Sequence, residues 1–212
     1  LSTQLTDLMG NPIKFVGFKN FINLFHSDSF MTSITVTMIF VIATSIFTVL
    51  CAYFLAILAS KKMRGMGFFR TIFSATMGIS VTVASILWLF MFNPQIGLFS
   101  KVLAALHLPD VNWLSDPFWA LVAIIGTTVW MNIGFAFLIL LGAVQAIPTD
   151  LYQVADLNGA SKWLRLRKIT LPATEPTLFF VMVVTLINAF QTFGQVDILT
   201  AGGPDYRTNL LV

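Results

Sequence analysis

Cysteine and charge are what this sequence has least of. Cys51 is the one cysteine in 212 residues, which excludes an intrachain disulfide and a Cys-rich metal site. It lies in a long apolar run, where the expectation is a small buried hydrophobe. Charged residues make up 10% of the chain, against about 25% in soluble domains. Histidine occurs only as His26 and His107. Neither has a second His, a Cys or a close carboxylate pair to complete a metal site, so no metal is expected. No G-x-x-x-x-G-K-S/T run is present, so the chain carries no P-loop nucleotide site. No signal-peptide pattern stands at Leu1, and the reading is a chain that starts inside a longer one.

Apolar residues fill the space that charge leaves. They make up 57% of the chain, with 21 phenylalanines, and the mean hydropathy is +0.87. A soluble fold has too little polar surface here to cover that much apolar area. The bilayer is the expected solvent. The net charge of +3 is mild and confined to loops, so it points to no nucleic acid.

Four stretches lack Asp, Glu, Lys and Arg: 29–60, 71–100, 117–149 and 176–196. Each exceeds the roughly 18–20 residues that cross a membrane as a helix. Asn93-Pro94 is a turn signal that should end the second. The predicted spans are 34–60, 71–92, 118–145 and 176–196, an all-α polytopic membrane helical bundle. Lys61, Lys62, Arg64 and Arg70 separate the first two spans, and Lys162, Arg165, Arg167 and Lys168 the last two. Together these are eight of the twelve basic residues. Basic loops resist translocation, so both are expected in the cytoplasm. Residues 1–29 and the 93–117 loop then lie outside.

Phe15, Phe18, Phe21, Ile22 and Phe25 recur at helical spacing and predict a short amphipathic helix over 15–25, lying on the membrane or packed on the bundle. A second short outer helix is predicted over 97–107. Trp113 and Trp119 flank the third span as interfacial anchors.

The segment 150–172, DLYQVADLNGASKWLRLRKITLP, is the most informative. Asp150 and Gln153 have capping-box spacing. Gly159 is a natural helix stop with positive φ. A helix, a glycine turn and a second helix from 161 to about 170 should precede the next span. Ala155, Gly159, Ala160 and Ser161 allow close approach by a partner, and Arg165, Arg167 and Lys168 suit acidic groups. The reading is a docking element of two coupling helices, or else a solvated connector at the headgroups.

That segment resembles the EAA loop of permease subunits in binding-protein-dependent ATP-binding-cassette importers. The likeness rests on Leu151-Tyr152, Ala155, Gly159-Ala160-Ser161, Trp163 and Ile169-Thr170-Leu171-Pro172. The chain departs at Gln153, Val154 and Asn158, where the family has Glu, Ala and Asp. Further pieces fall in family order: 15–21 (FVGFKNF), Phe92-Asn93-Pro94, Gln145-Ala146-Ile147-Pro148, and Gly202-Gly203-Pro204 with Thr208. The resemblance is to the carbohydrate and glycerol-phosphate uptake group. It implies a permease domain of at least six spans, of which residues 1–212 would be a single domain incomplete at both ends. It implies ATPase coupling through Gln153, Ala155, Asp156, Gly159, Ala160, Ser161, Trp163, Leu166 and Arg167. It implies a solute-binding-protein contact at Gly202, Gly203 and Pro204. The implied partners are a second permease subunit in a heterodimer, two ATPase subunits that hold ATP and magnesium, and the extracytoplasmic binding protein. The implied place is a bacterial or archaeal cell membrane, in contact with lipid.

Polar residues inside spans usually face the bundle or a cavity. Thr185, Asn188, Thr192 and Gln195 share one helical face by spacing, with Gln191 beside it. The resemblance adds Met77, Thr128, Met131, Asn132, Phe135 and Thr185 as substrate-pathway positions; Val81 and Ala189 match further ones but are apolar. The alternative is that Ser and Thr bond their own backbone and the amides bond neighbouring helices.

Two other functions are weighed. An intramembrane enzyme needs a nucleophile–base pair or metal cluster, and the predicted spans hold no His, Asp, Glu or Lys. An ion-coupled secondary transporter usually needs an intramembrane carboxylate, which they lack too. No enzymatic activity and no cofactor in this chain are expected.

Overall fold

The computed structural model describes residues 4–6, 12–15, 17–60, 66–204 and 208–211. Val16, Lys61, Lys62, Arg64, Asp205 and Arg207 lie outside them. A small antiparallel ribbon, β1 (Gln4–Thr6) with β2 (Pro12–Phe15), comes first, pairing Gln4 with Phe15 and Leu5 with Lys14. Every described element after it is helical, so the membrane bundle is all-α as expected. The outer helix is α1 (Lys19–Phe25), four residues shorter at its start than predicted. Phe15 belongs to the ribbon instead.

The first span is α2 (Asp28–Ala59), 32 residues long, or about 48 Å. Arg70 caps its far end, donating from Nε and Nη2 to the Ala59 carbonyl at 3.3 and 2.8 Å. A cation there meets the negative end of the helix dipole. The third predicted span is α6 (Pro117–Gln145). Pro117 suits its first turn, and the Asp116 carboxylate accepts from the N–H groups of Phe118 and Trp119 at 3.0 and 3.1 Å.

The second span is not the single helix predicted over 71–92. It is α3 (Met66–Ser74), a 3₁₀ turn (Ala75–Gly78) and α4 (Val81–Met91), bent by 111°. Gly78 ends the tight turn, and Ser80 caps α4 by accepting from the Val83 N–H at 3.3 Å. Gly/Ser pairs are common causes of such breaks. The helix α5 (Leu98–Ala105) follows as predicted.

After α6 come α7 (Thr149–Leu157), α8 (Lys162–Arg165), a π turn (Leu166–Thr170) and α9 (Leu171–Phe190). The last three form one unbroken helix, Lys162–Phe190. The second docking helix is therefore not separate from the fourth span, which starts upstream of the predicted 176. The wide turn lies just before Pro172, which has no N–H for the carbonyl four residues back. The continuous helix includes Glu175, and Asp28 opens the first, so carboxylates do lie in candidate spans. Its longest uncharged stretch is 176–190. The helix stops at Phe190, and α10 (Gly194–Thr200) replaces the predicted continuation to 196.

Both ends of the bundle are legible from this order. The end of α2, the start of α3, the end of α6 and the α7–α8 turn share the basic end. The starts of α2 and α6, α5, and residues 201–204 and 208–211 share the opposite one. Leu211 N–H donates to Thr37 Oγ1 at 3.1 Å, and Asn209 Nδ2 to Ser33 Oγ at 3.4 Å, tying the tail to α2. There an aromatic stack links Trp130, Trp88, Phe99, Phe92, Trp113 and Trp119 through ring centroids 5.2–5.9 Å apart. Trp113 and Trp119 thus pack on each other and the stack.

Two apolar cores lie along α2, α6 and α9. One holds Phe40, Val41, Ile124 and Ala189, and the other Val49, Ala52, Phe137 and Val181. Between them along the chain stand buried hydroxyls: Thr44, Ser45 and Thr48 on α2, Thr127 and Thr128 on α6, and Thr185 on α9. Small and hydroxyl side chains let membrane helices pack closely. Cys51 is exposed on α2 rather than buried. Helical position, not the apolar run around it, decides its face.

Candidate functional site

Three helical elements meet where the second and fourth spans are broken. Gly134 on α6 is the first contact. A Cβ there would stand 2.9 Å from the Phe73 carbonyl, 3.0 Å from Met77 Cγ and closer still to Thr76 Oγ1. Only glycine admits the 3₁₀ turn to this surface. The second contact is the Gln195 side-chain amide, which donates to Thr128 Oγ1 at 3.3 Å, joining α10 to α6. The third is Gly194 against Val81, where a Cβ would meet Val81 Cγ1 at 3.0 Å. The outer half-helices α4 and α10 therefore lie on each other and against α6.

The residues predicted to line a pathway divide at this junction. Thr128, Thr185, Thr192 and Gln195 are buried. Thr128 donates to Ile124 O at 2.8 Å, Thr185 to Met182 O at 2.9 Å and Thr192 to Asn188 O at 3.1 Å. Asn132 Nδ2 donates to Thr128 O at 3.0 Å. These bonds are the backbone satisfaction weighed as the alternative for Ser and Thr. Met131, Asn132 and Phe135 are half-buried. Met77, Asn188 and Gln191 are exposed on the surface of this chain. The single helical face through 185, 188, 192 and 195 does not exist, because the helix ends at Phe190 and restarts at Gly194.

The segment predicted to dock a partner occupies the basic end. Gly159 has φ +67, and two bonds close the turn: Gly159 N–H to Asp156 O at 3.0 Å and Ala160 N–H to Ala155 O at 2.9 Å. This is a Schellman ending. The expected capping box is absent; Pro148 occupies the N-cap, and α7 starts at Thr149 without a side-chain cap. Ser161 caps α8 instead, accepting from the Leu164 N–H at 3.2 Å. Arg165 pairs with Asp156 across the turn. Tyr152 and Thr170 hydroxyls bond at 2.9 Å, and those of Tyr53 and Thr174 at 2.9 Å. They fasten α7 to the long helix and the long helix to α2.

Gln153, Asp156, Gly159, Ser161, Trp163 and Arg167 are exposed, while Ala155, Ala160 and Leu166 are half-buried. Sequence reasoning missed Leu157. It is 89% exposed at the tip of α7, with Val154 and Leu151 exposed behind it. An apolar residue directly before Asn-Gly at a helix end was the available signal. At the opposite end, Ala201 (φ 49) and Gly202 (φ 80) are left-handed. The turn holding Gly202, Gly203 and Pro204 is fastened by Thr208, which bonds Thr200 Oγ1 at 2.8 Å and the Gly203 carbonyl. Among the described residues no His, Cys, Asp and Glu group is arranged to hold a metal ion.

Broken spans around a junction inside the bundle, with a glycine-turned helix pair at one end, fit a polytopic membrane permease. The chain belongs to the family described as binding-protein-dependent transport system inner membrane component, whose profile matches residues 49–210. It is 36% identical over 214 residues to the sn-glycerol-3-phosphate transport system permease protein UgpA of Agrobacterium fabrum, covering 100% of this chain and 72% of that one. It is 34% identical to the UgpA of Yersinia enterocolitica, with the same coverage. A bacterial alginate ABC transporter, solved in complex with an alginate pentasaccharide-bound periplasmic protein, superposes with a TM-score of 0.80. That match has 25% identity and covers 91% of this chain and 67% of the other.

Proposed function

We propose that this chain forms half of the membrane pathway of an ATP-driven importer for a sugar or sugar phosphate. It acts beside a second permease subunit in a heterodimer and has no catalysis of its own. Two ATPase subunits carrying ATP and magnesium dock on α7 and the α8 turn at the cytoplasmic face. A solute-binding protein delivers substrate at Gly202, Gly203 and Pro204. The carrying observation is the docking element, with Leu157 projecting 89% exposed from a turn braced by Gly159.

The continuity of the helix Lys162–Phe190 gives the element a use. A push on α7 passes through the Tyr152–Thr170 bond into a helix that runs unbroken as far as the joint after Phe190. The joints at 75–80 and 191–193 let the outer half-helices re-pack as that helix tilts. ATP binding then shifts a population between inward- and outward-open packings. The exposed Asn188, Gln191 and Met77 face the route, with Thr128, Met131, Asn132, Phe135, Thr185, Thr192 and Gln195 behind or beside them. Amides suit sugar hydroxyls, and aromatic faces suit sugar rings. The relatives named for glycerol phosphate and for alginate support this substrate class.

The test is uptake by vesicles holding the complete complex. Import of labelled sugars and glycerol phosphates should require ATP inside and binding protein outside. Import that follows a proton gradient without ATP would overturn the reading.

A further inference from the structure

A cavity of about 550 Å³ opens at the basic end, away from the exposed face of α7. Ile57, in the last turn of α2, and Val144, in the last turn of α6, form its floor with Leu166. Three candidate spans end or begin around it, which puts it at the depth of the membrane boundary. Lys162 and Trp163 stand at its rim, and Tyr152 forms part of the wall.

The charges around it do not balance. Arg165 reaches the cavity but is neutralised by Asp156. Lys162 has no ion-pair partner among the described residues. Among the described residues no carboxylate lines the cavity. Trp163 is 70% exposed beside Lys162, as an indole at the headgroup level should be.

We propose that this cavity binds an anionic phospholipid, with the headgroup phosphate at Lys162 and an acyl chain over Ile57, Val144 and Leu166. A free phosphate would satisfy the ammonium but leave the apolar floor uncovered. A zwitterionic lipid would cover the floor but bring its own cation to a rim that already has an unpaired one. Basic pockets between spans at the cytoplasmic side suit such headgroups. The site is independent of the solute carried, but it shares α8 with the proposed ATPase contact.

The complete complex, reconstituted in phosphatidylcholine with a minor share of phosphatidylglycerol, tests this by native mass spectrometry. Phosphatidylglycerol should remain bound after detergent extraction, in preference to phosphatidylcholine. Lys162→Gln should weaken its retention roughly tenfold, the size of one charge-assisted contact. Lys168→Gln removes the same charge from a residue outside the cavity and should not. A photo-crosslinking group at Ile57 should mark lipid in an otherwise unaltered complex. Equal retention of both lipids, equal loss in the two lysine variants, displacement by inorganic phosphate, or a crosslink to polypeptide would each overturn the proposal. Co-purifying ATPase is measured in the same samples, so failure of the docking role is read separately.

Discussion

Gly134 lies against Thr76, so α6 and the break in the second span touch with no room for a methyl group. This contact sets the position of the 3₁₀ turn and, with it, of Met77. Gly126 and Gly142 on the same helix have nothing within 4 Å of an added Cβ. They are built-in controls for the crossing.

Gly134→Ala should lower the thermal stability of the complex in detergent. Overpacking of this kind costs about 1–3 kcal/mol. Gly126→Ala and Gly142→Ala should be neutral or slightly stabilising, because alanine favours helix and meets open space. An unchanged melting temperature for Gly134→Ala would mean that the turn is not held at this surface.

Leu157→Glu should abolish co-purification of the ATPase subunits while leaving the spans inserted. The side chain is almost wholly exposed, so the change costs little within the chain, and a charge would face any apolar socket on the partner. Retained ATPase with normal uptake would remove α7 from the coupling role.

At Gly159 the backbone, not space, is limiting. Nothing lies within 4 Å of an added Cβ, but φ is +67. Gly159→Leu should cost about 1–2 kcal/mol of turn stability and reduce transport. Gly159→Asn, which tolerates this region better, should keep most of it. Equal activity of the two variants would show that turn strain does not matter to coupling.

Thr44 Oγ1, Ser45 Oγ and Thr48 Oγ1 are buried without a hydrogen-bond partner among the described residues. An unmet buried hydroxyl costs about 1–3 kcal/mol. Thr48→Val should therefore raise the melting temperature of the complex. Uptake measured alongside asks whether the hydroxyl finds a partner in the other packing; a lower melting temperature would show that it is bonded in the resting complex.

Gln195→Leu breaks the bond to Thr128 and should weaken the complex, whereas Asn188→Leu, on the exposed surface, should spare stability and lower uptake. A lost hydrogen bond of roughly 0.5–1.5 kcal/mol predicts partial effects in both. Heat stability and uptake compared side by side give the answer. Normal uptake by Asn188→Leu would take that residue out of the pathway.

The first and third spans were legible in the sequence almost to their limits, because hydropathy is a local sum and the bilayer sets one length for straight spans. The turn at Gly159 was legible too, since only a few residues accept its backbone angles. Helix breaks were not. Gly78, Ser80 and Gly194 are visible signals, but glycine and serine also sit inside straight spans, as Gly126 and Gly142 do. Whether they break a helix depends on what packs against it: Gly134 takes the 3₁₀ turn, and Val81 takes the start of α10. The fusion of the docking helix with the fourth span was hidden for the same reason, because Pro172 reads as a stop until a π turn accommodates it. Cys51, Asn188 and the cavity above Ile57 depend on which side of a helix meets a neighbour. Composition set the solvent for every span; only the crossing of the helices decided which side chains it would reach.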